Sequence, residues 1–170
     1  VSPKAYNMGG SKMFLEINDK VTISDLLRGI IIQSGNDASV AIAECLSGTE
    51  NDFSKLMNSY SKTLDLKNTH FINASGWPDE NHYSTVRDIA ILSSALIRDF
   101  PDLYSYFKES EFTYGGIRQP NRNRLLTTVD GVDGLKTGYL KISGWGISAS
   151  AVRENRRIIV VLNGTNSSRI

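Results

Sequence analysis

The sequence has few of the residues that cross-link a chain or bind metal: one cysteine, Cys45, and two histidines in 170 residues. A single cysteine cannot form a disulfide within the chain, and the small and apolar neighbours of Cys45 predict a buried thiol. Neither histidine lies in a context typical of cysteine proteases, which disfavours a catalytic cysteine. His70 and His82 have no clustered acids or cysteines around them, so we expect structural roles and no metal site.

The chain also lacks an excess of charge and any long apolar run. Its 19 basic and 18 acidic residues leave a net charge of +1, which argues against a nucleic-acid-binding surface. No run approaches the roughly 18 apolar residues of a membrane helix. With 40% hydrophobic and 22% charged residues, the composition predicts one globular domain with a core. Since the sequence opens without methionine or a targeting pattern, we expect a mature or truncated piece.

The first two thirds of the chain do contain apolar residues at helical spacing. Thr22 and Asp25 form a capping pattern ahead of LLRGIII, and the residues Gln33-Ser34-Gly35-Asn36 end that helix. A second helix follows at once, with an apolar stripe at Ala38, Ala41, Ile42 and Cys45. Two more are predicted over 51–66 and 84–97, the first with a stripe at Phe53, Leu56, Met57, Tyr60 and Leu64 and the second with a hydroxyl cap at Thr85.

Strand patterns occur before and after these helices. SKMFLEI (11–17) alternates enough to be a strand, and after about residue 110 four short segments are typical of antiparallel strands: SEFTYGG, RLLTTVDG, GWGISASAVREN and RRIIVVLNG. The sequence therefore predicts an α+β fold, in which an antiparallel sheet is flanked by helices. We expect a mainly helical lobe over about 22–108 and C-terminal strands over about 111–163, within one partial domain that spans 1–170.

Two short motifs carry residue types that can do chemistry: Ser34-Gly35-Asn36 between two helices, and Lys136-Thr137-Gly138 where a strand begins. Taken alone, the first is compatible with ordinary capping and turn formation, and the second with an exposed edge-strand lysine before a turn. Taken together and in this order, they match the later two of the three motifs S-x-x-K, S-x-N and K-T-G of serine acyl-transferases.

With these motifs the chain resembles the low-molecular-mass penicillin-binding proteins, the D-alanyl-D-alanine carboxypeptidases, over nearly its whole length. The segments similar to that family are GGSKMFLEINDKVTISDLLRGIIIQSGNDASVAIAE, NTHFINASGWPDENHYSTVRDIA, IRQPNRNRLL and VDGLKTGYL. S-G-N rather than S-D-N favours the carboxypeptidases over class A β-lactamases. The resemblance implies a β-lactamase or transpeptidase-like fold, here incomplete.

The resemblance also implies roles for the motif residues. Acyl transfer needs an activated serine, donors for the oxyanion and a positive site for the carboxylate of the substrate. Lys136 and Ser34 are implied in proton transfer and in the electrostatics around the nucleophile, and Asn36 in hydrogen bonds to the substrate peptide.

The strand edge after Lys136 is implied to bind the substrate. Thr137 would contact the terminal carboxylate, Gly138 would let the acyl donor lie against the strand as an added strand, and the backbone N–H of Tyr139 would donate to the oxyanion. In relatives an arginine in the RQPNRNR stretch lies at the edge of the active site. We expect Arg122 to be this arginine. The alternative is that Arg122 only forms a salt bridge on the surface. Tyr139 and Leu140 depart from the small or hydroxyl residues often found there.

The nucleophile of the family is not found before Ser34, because no serine there, Ser2 and Ser11 included, has a lysine three positions later. Ser59-Tyr60-Ser61-Lys62 and Ser105-Tyr106-Phe107-Lys108 do match S-x-x-K, but both follow S-G-N, which is the wrong order. Ser59 is also predicted to lie in a helix whose buried stripe includes Tyr60. We therefore expect a chain truncated at both ends that lacks its nucleophile segment and is inactive as it stands.

The resemblance implies a serine-type D-Ala-D-Ala carboxypeptidase of the periplasm or cell surface, attached to the membrane, if at all, through a C-terminal part that is missing. Its partners would be peptidoglycan stem peptides that end in D-Ala-D-Ala, with β-lactams as inhibitors and no metal or organic cofactor. A pseudoenzyme that binds these peptides without cleaving them, and a β-lactamase on the same fold, remain alternatives. Trp77 and Trp145 are expected to be packing residues in loops.

Overall fold

The computed structural model describes residues 1–168 and shows helices, one separate hairpin and a three-stranded sheet. The helices are α1 (Pro3–Tyr6), α2 (Ile23–Gln33), α3 (Asn36–Ser47), α4 (Glu50–Thr63), α5 (Val86–Asp99), α6 (Pro101–Tyr104) and α7 (Leu125–Thr128), with a 3₁₀ turn at Ser105–Lys108. The strands are β1 (Glu111–Tyr114), β2 (Ile117–Pro120), β3 (Val132–Leu140), β4 (Gly144–Arg153) and β5 (Arg156–Thr165).

Threonine side chains start three of the long helices. The hydroxyls of Thr22, Thr49 and Thr85 each accept a hydrogen bond from the backbone N–H three residues later, which satisfies one otherwise unpaired donor of the first turn. Each such cap contributes about 1 kcal/mol. The helix starts predicted at Thr22 and Thr85 are confirmed.

The three-stranded sheet is antiparallel in the order β3-β4-β5, so that β3 lies at one edge. Lys136 pairs with Ser148 and Gly138 pairs with Gly146 across β3 and β4. Helix α5 packs on this sheet, and the hydroxyl of its Ser93 forms a 2.8 Å hydrogen bond with the hydroxyl of Ser148. The predicted α+β class, an antiparallel sheet with flanking helices, is confirmed.

The apolar core of the helical part lies between α2, α3 and the segment that precedes them. Its fully or nearly fully buried residues are Met13, Leu15, Leu26, Ala38 and Ile42. Gly29 permits this packing, because a Cβ atom at Gly29 would lie 2.3 Å from the sulfur of Met13. The close approach fixes how the 13–15 segment lies against α2.

The predicted strand over residues 11–17 is wrong. This segment has an extended but irregular backbone, and Phe14 lies in the left-handed region with a φ of 66°. Its backbone donors are satisfied by a side chain: the N–H groups of Met13, Phe14 and Leu15 all donate to the carboxylate of Asp37. With its N–H groups bonded in this way, the segment does not pair with a neighbouring strand.

Three other predictions about local structure or burial are wrong. RLLTTVDG was expected to be a strand but contains the short helix α7. Cys45 is exposed, because it lies in the last part of α3 whereas the buried residues of that helix end at Ala43. Tyr60 is 64% exposed, since the buried residues of α4 are the small side chains of Ser54 and Ser61.

The strand β5 forms the second edge of the sheet and is poorly covered. Ile158, Val160 and Leu162 alternate along it and are 64%, 46% and 40% exposed, so they share one uncovered face. Within residues 1–168, no helix combines the length and the apolar character that crossing a membrane requires.

Candidate active site

Ser34 lies at the junction of α2 and α3. It is the C-cap of α2 and has φ 55° and ψ 38°, a left-handed conformation that a residue with a Cβ atom adopts only at a cost. Gly35 follows and donates its N–H to the carbonyl of Gly29, which closes the end of α2. Only Ser34 and Gly35 separate the two helices, so the hydroxyl of Ser34 lies at their junction.

Asn36 is the first residue of α3 and is held from the N-terminal side of the chain. Its backbone N–H donates to the carbonyl of Ser11 at 2.8 Å, and its side-chain Nδ2 donates to the carbonyl of Gly9 at 2.8 Å. The amide still has a second N–H and a carbonyl oxygen beyond that side-chain bond. Asn36 is partly buried, so these groups are fixed in direction but retain access to solvent.

Lys136 reaches the same junction from β3. Its Nζ donates to the Oγ of Ser34, 102 residues away in the sequence, and to the carbonyl of Thr137 at 2.7 Å. Both motifs therefore meet in one place, although each belongs to a different part of the fold.

Burial of the ammonium, and to a smaller extent the nearby positive charge of Arg122, lower the pKa of Lys136 to about 8. Arg122 donates from Nε to the carbonyl of Gln33 at 3.0 Å, directly before Ser34 in the chain. The structure thus places two cationic side chains beside the Ser34 hydroxyl. The two positive charges can attract an anionic ligand. Because its pKa is lowered, Lys136 can also lose its proton closer to neutral pH than an ordinary lysine does.

The outer edge of β3 is open beside these groups. Within residues 1–168, β3 pairs only with β4, so its other edge carries backbone N–H and C=O groups that a further strand could use. A Cβ atom added at Gly138 would meet no heavy atom within 4 Å. Tyr139 follows it with 55% of its surface exposed.

The structure brings Ser34, Lys136 and Arg122 together, with Asn36 next to Ser34 on α3 and Thr137 to Tyr139 on the edge strand. The two later S-x-x-K strings lie elsewhere in the chain. Ser59 is an exposed residue of α4, and Ser105 begins the 3₁₀ turn and donates its hydroxyl to the carbonyl of Asp102. Among the hydrogen bonds of residues 1–168, none joins either serine to Ser34 or Lys136.

Two residues near the site were not predicted to take part in it. Asp37 is fully buried behind Asn36 and accepts four backbone hydrogen bonds, although in the sequence it reads as an ordinary acid in the first turn of a helix. Trp77 is 47% exposed, and its ring lies against Gly9 and Gly10 next to the amide of Asn36. The loop position expected for Trp77 is confirmed, whereas Trp145 lies in β4 rather than in a loop.

Within residues 1–168, neither histidine forms a hydrogen bond with these groups. Nδ1 of His70 is 2.8 Å from the carbonyl oxygen of Asn81, and burial lowers the pKa of His82. Residues 1–168 contain no group of three or more His, Cys, Asp or Glu side chains that could hold a metal ion.

Comparison with known families matches residues 1–166 to the family described as D-alanyl-D-alanine carboxypeptidase. A curated relative, the D-alanyl-D-alanine carboxypeptidase DacC of Escherichia coli, is 47% identical over 163 residues. That alignment covers 95% of this chain and 41% of the relative, so the chain spans less than half the length of the protein it matches.

Solved structures agree with this match. The crystal structure of penicillin binding protein 5 from Haemophilus influenzae superposes with a TM-score of 0.90 at 45% identity, over 93% of this chain and 46% of that one. Penicillin-binding protein D2 from Listeria monocytogenes, solved in a cefotaxime-bound form, gives a TM-score of 0.80 at 28% identity, over 90% of this chain and 68% of that one.

Proposed function

We propose, from the premise that this chain belongs to the D-alanyl-D-alanine carboxypeptidase family, that it supplies the S-G-N and K-T-G portion of a serine D-Ala-D-Ala carboxypeptidase site. The substrates would be peptidoglycan stem peptides that end in D-Ala-D-Ala. The hydrogen bond from Lys136 to Ser34 carries this proposal, because it joins the two motifs at one open strand edge.

The reaction is an acyl transfer in two steps. The hydroxyl oxygen of a nucleophilic serine attacks the carbonyl carbon of the penultimate D-alanine, the C–N bond to the last residue breaks, and D-alanine leaves with the proton taken from that serine. Water then hydrolyses the ester. No serine before Ser34 begins an S-x-x-K segment, so the nucleophile would come from the part of the family's length that this chain does not span.

Lys136 and Ser34 would act next to that nucleophile. The ammonium of Lys136 donates to the Ser34 hydroxyl, which leaves the Ser34 proton free to be donated toward the leaving nitrogen. Asn36 would hold the peptide portion of the substrate with the amide groups left over from its bond to Gly9.

The edge of β3 would bind the other end of the substrate. Thr137 and the positive charges of Lys136 and Arg122 would hold the terminal carboxylate, and Gly138 would let the substrate approach the strand because its surroundings are empty. The backbone N–H of Tyr139 would donate to the oxyanion. β-Lactams would acylate the same serine, in line with the cefotaxime-bound relative. The protein would be located in the periplasm or at the cell surface.

The test uses the protein that carries this sequence together with an S-x-x-K segment. It is incubated with a fluorescent penicillin and with a peptide that ends in D-Ala-D-Ala, and the covalent label and released D-alanine are measured. We expect both signals, and we expect Lys136→Ala to reduce both by about 100-fold or more. The 170-residue chain on its own should take no label.

Other outcomes would point to the alternative functions. Binding of the peptide without label or D-alanine would indicate a non-catalytic peptidoglycan-binding protein. Rapid turnover of penicillin without release of D-alanine would indicate a β-lactamase. Labelling of the isolated chain at Ser59 or Ser105 would show that one of the later S-x-x-K strings holds the nucleophile.

A further inference from the structure

We propose that the aromatic pair Tyr139 and Trp145 binds the part of the acyl donor that precedes the penultimate D-alanine, and that it favours apolar acyl groups there. This inference rests on the proposed function and makes its substrate class more specific. It concerns the side chain of Tyr139, whereas the oxyanion role above concerns only its backbone N–H.

The two rings form one partly exposed surface. Tyr139 and Trp145 are cross-strand partners on β3 and β4, with ring centroids 4.4 Å apart and planes inclined by 38°. Tyr139 is 55% exposed and Trp145 is 37% exposed, so their contact does not bury either ring. Aromatic side chains held in this way offer a large apolar area at a small cost in side-chain entropy, which is typical of recognition surfaces.

The register of β3 sets this surface beside the substrate. The pairing of Thr137 with Ile147 and of Tyr139 with Trp145 is regular, so the side chains of Thr137 and Tyr139 lie on the same face of the sheet. Gly138 between them opens onto empty space. A ligand whose carboxylate contacts the Thr137 hydroxyl therefore meets the Tyr139 ring as it continues along the strand.

The direction of the substrate follows from the two anchors proposed on β3. The terminal carboxylate would lie at the Thr137 hydroxyl and the carbonyl under attack at the N–H of Tyr139, which is further along the strand in the direction of Leu140. The rest of the acyl donor must then extend toward the turn that joins β3 to β4. That turn adds further apolar surface, since Ile142 is 88% exposed.

The side chains at this end of the strand determine which acyl groups can bind there. Tyr139, Trp145 and Ile142 are apolar surfaces, and Lys141 is a charged neighbour at the turn that is exposed to solvent. In a stem peptide the group that reaches this position is the side chain of the residue before D-Ala-D-Ala, whose methylene groups would lie on the rings. In a penicillin it is the acyl group on the 6-amino nitrogen.

Two penicillins that differ only in this group test the inference. Benzylpenicillin carries a phenylacetyl group and 6-aminopenicillanic acid carries none, so the ratio of their acylation rate constants measures the contribution of the acyl group. In the protein with its S-x-x-K segment, we expect Tyr139→Thr and Trp145→Thr each to lower this ratio about 5- to 10-fold, the size of one aromatic contact.

Matched variants separate the role of the ring from general effects. Tyr139→Phe keeps the ring and is expected to rescue the ratio. Tyr60→Thr removes a similarly exposed tyrosine from α4 and should leave both rate constants unchanged. If Trp145→Thr fails to fold, Tyr139→Thr tests the inference by itself, because a strand readily accepts threonine.

The outcomes distinguish this inference from the proposed function. If the unmodified protein is acylated by neither penicillin, the proposed function is wrong and the inference is overturned with it. If both penicillins acylate and the variants leave the ratio unchanged, or slow both reactions equally, the inference alone is overturned. A selective loss with benzylpenicillin supports it.

Discussion

Ser34 has a strained backbone, and its hydroxyl accepts a hydrogen bond from Lys136. Mutation can separate these two features. Glycine adopts a φ of 55° without the steric cost that a Cβ atom brings. We therefore expect Ser34→Gly to be more stable than Ser34→Ala by about 1 kcal/mol, measured by urea denaturation of the chain.

Activity should not follow stability at this position. Both variants remove the hydroxyl that accepts from Lys136, so both should lower penicillin acylation by about 100-fold in the protein with its S-x-x-K segment. If Ser34→Gly kept full activity, the role proposed for the Ser34 hydroxyl would be wrong.

The lowered pKa of Lys136 predicts how acylation depends on pH. Burial, with a smaller contribution from Arg122, lowers it from 10.5 to about 8, so the ammonium is present below pH 8 and is lost above it. In the proposed site the charged form would attract the carboxylate of the ligand, so the second-order rate constant should fall as pH rises through about 8, with an inflection there. Lys136→Arg keeps its charge and should show no decline in this range. A rate constant that rises through pH 8 would contradict the electrostatic role.

The same shift affects the folded state of the isolated chain. An unfolded lysine keeps its proton to about pH 10.4, so between about pH 8 and 10 the unfolded chain binds more protons than the folded one. The free energy of unfolding attributable to Lys136 should therefore increase over this window. Urea denaturation at several pH values, compared with Lys136→Met, measures it, and equal slopes for the two proteins would contradict the lowered pKa.

At the scale of elements, the long helices could be predicted from the sequence because their signals are local. A threonine with an acid three residues later starts α2, and the same pattern starts α5. The segment 11–17 could not be predicted in this way, because its apolar alternation is real but its hydrogen-bond partner is Asp37, more than 20 residues away. Local patterns do not show which distant group satisfies a backbone donor.

Asp37 is the element-scale feature with the largest expected effect on stability. Its Oδ1 accepts from Met13 and Ala38 at 3.0 and 2.9 Å, and its Oδ2 accepts from Phe14 and Leu15 at 3.0 and 3.2 Å. Asp37→Asn would place an amide donor against buried N–H groups. We expect a loss of about 2–3 kcal/mol in the free energy of unfolding, measured with urea.

Asp52→Asn is the matched control, since Asp52 lies in the first turn of α4 but is exposed. Its loss should stay below about 1 kcal/mol, as is usual for surface charges. Equal effects at the two positions would show that the bonds of Asp37 do not hold the 13–15 segment to α3.

At the scale of the whole molecule, a polar network around the buried carboxylate of Asp133 joins the helical part to the sheet. Arg157 on β5 donates two hydrogen bonds of 2.8 Å to the carboxylate of Asp133 on β3, and the hydroxyl of Tyr104 in α6 donates to the same carboxylate at 2.9 Å. Burial alone would raise the pKa of Asp133, but the hydrogen bonds from Arg157 and Tyr104 outweigh it and lower that pKa. This network lies three residues before Lys136 on β3.

Arg157→Met should therefore destabilise the chain by about 2–3 kcal/mol at pH 7, because it leaves a buried carboxylate without its cation. The loss should shrink toward pH 4. There the variant can protonate Asp133, and the stabilising ion pair of the original protein also begins to be lost. The double variant Asp133→Asn with Arg157→Met removes the buried charge and should recover part of the loss. Urea denaturation at pH 4 and pH 7 checks both statements, and a loss that does not change with pH would contradict them.

The candidate site shows the same difference: its residue types could be predicted from the local sequence, whereas contacts between distant segments could not. The types and order of Ser34, Asn36 and Lys136 predict which residues could do the chemistry, since acyl transfer needs those functional groups. The contact between Arg122 and Gln33 and the pairing of Tyr139 with Trp145 depend on how separate segments pack, and the register of a hairpin is set by its turn. No property of a single residue type shows these contacts in advance.

The uncovered face of β5 has a practical consequence for work with the isolated chain. Ile158, Val160 and Leu162 alternate along an open sheet edge, and two molecules that meet at this edge can continue each other's sheet. Purified at high concentration, the polypeptide should form dimers and then insoluble aggregates. Replacing Val160 with lysine should postpone precipitation without disturbing the K-T-G motif, which lies on β3 at the other edge of the sheet.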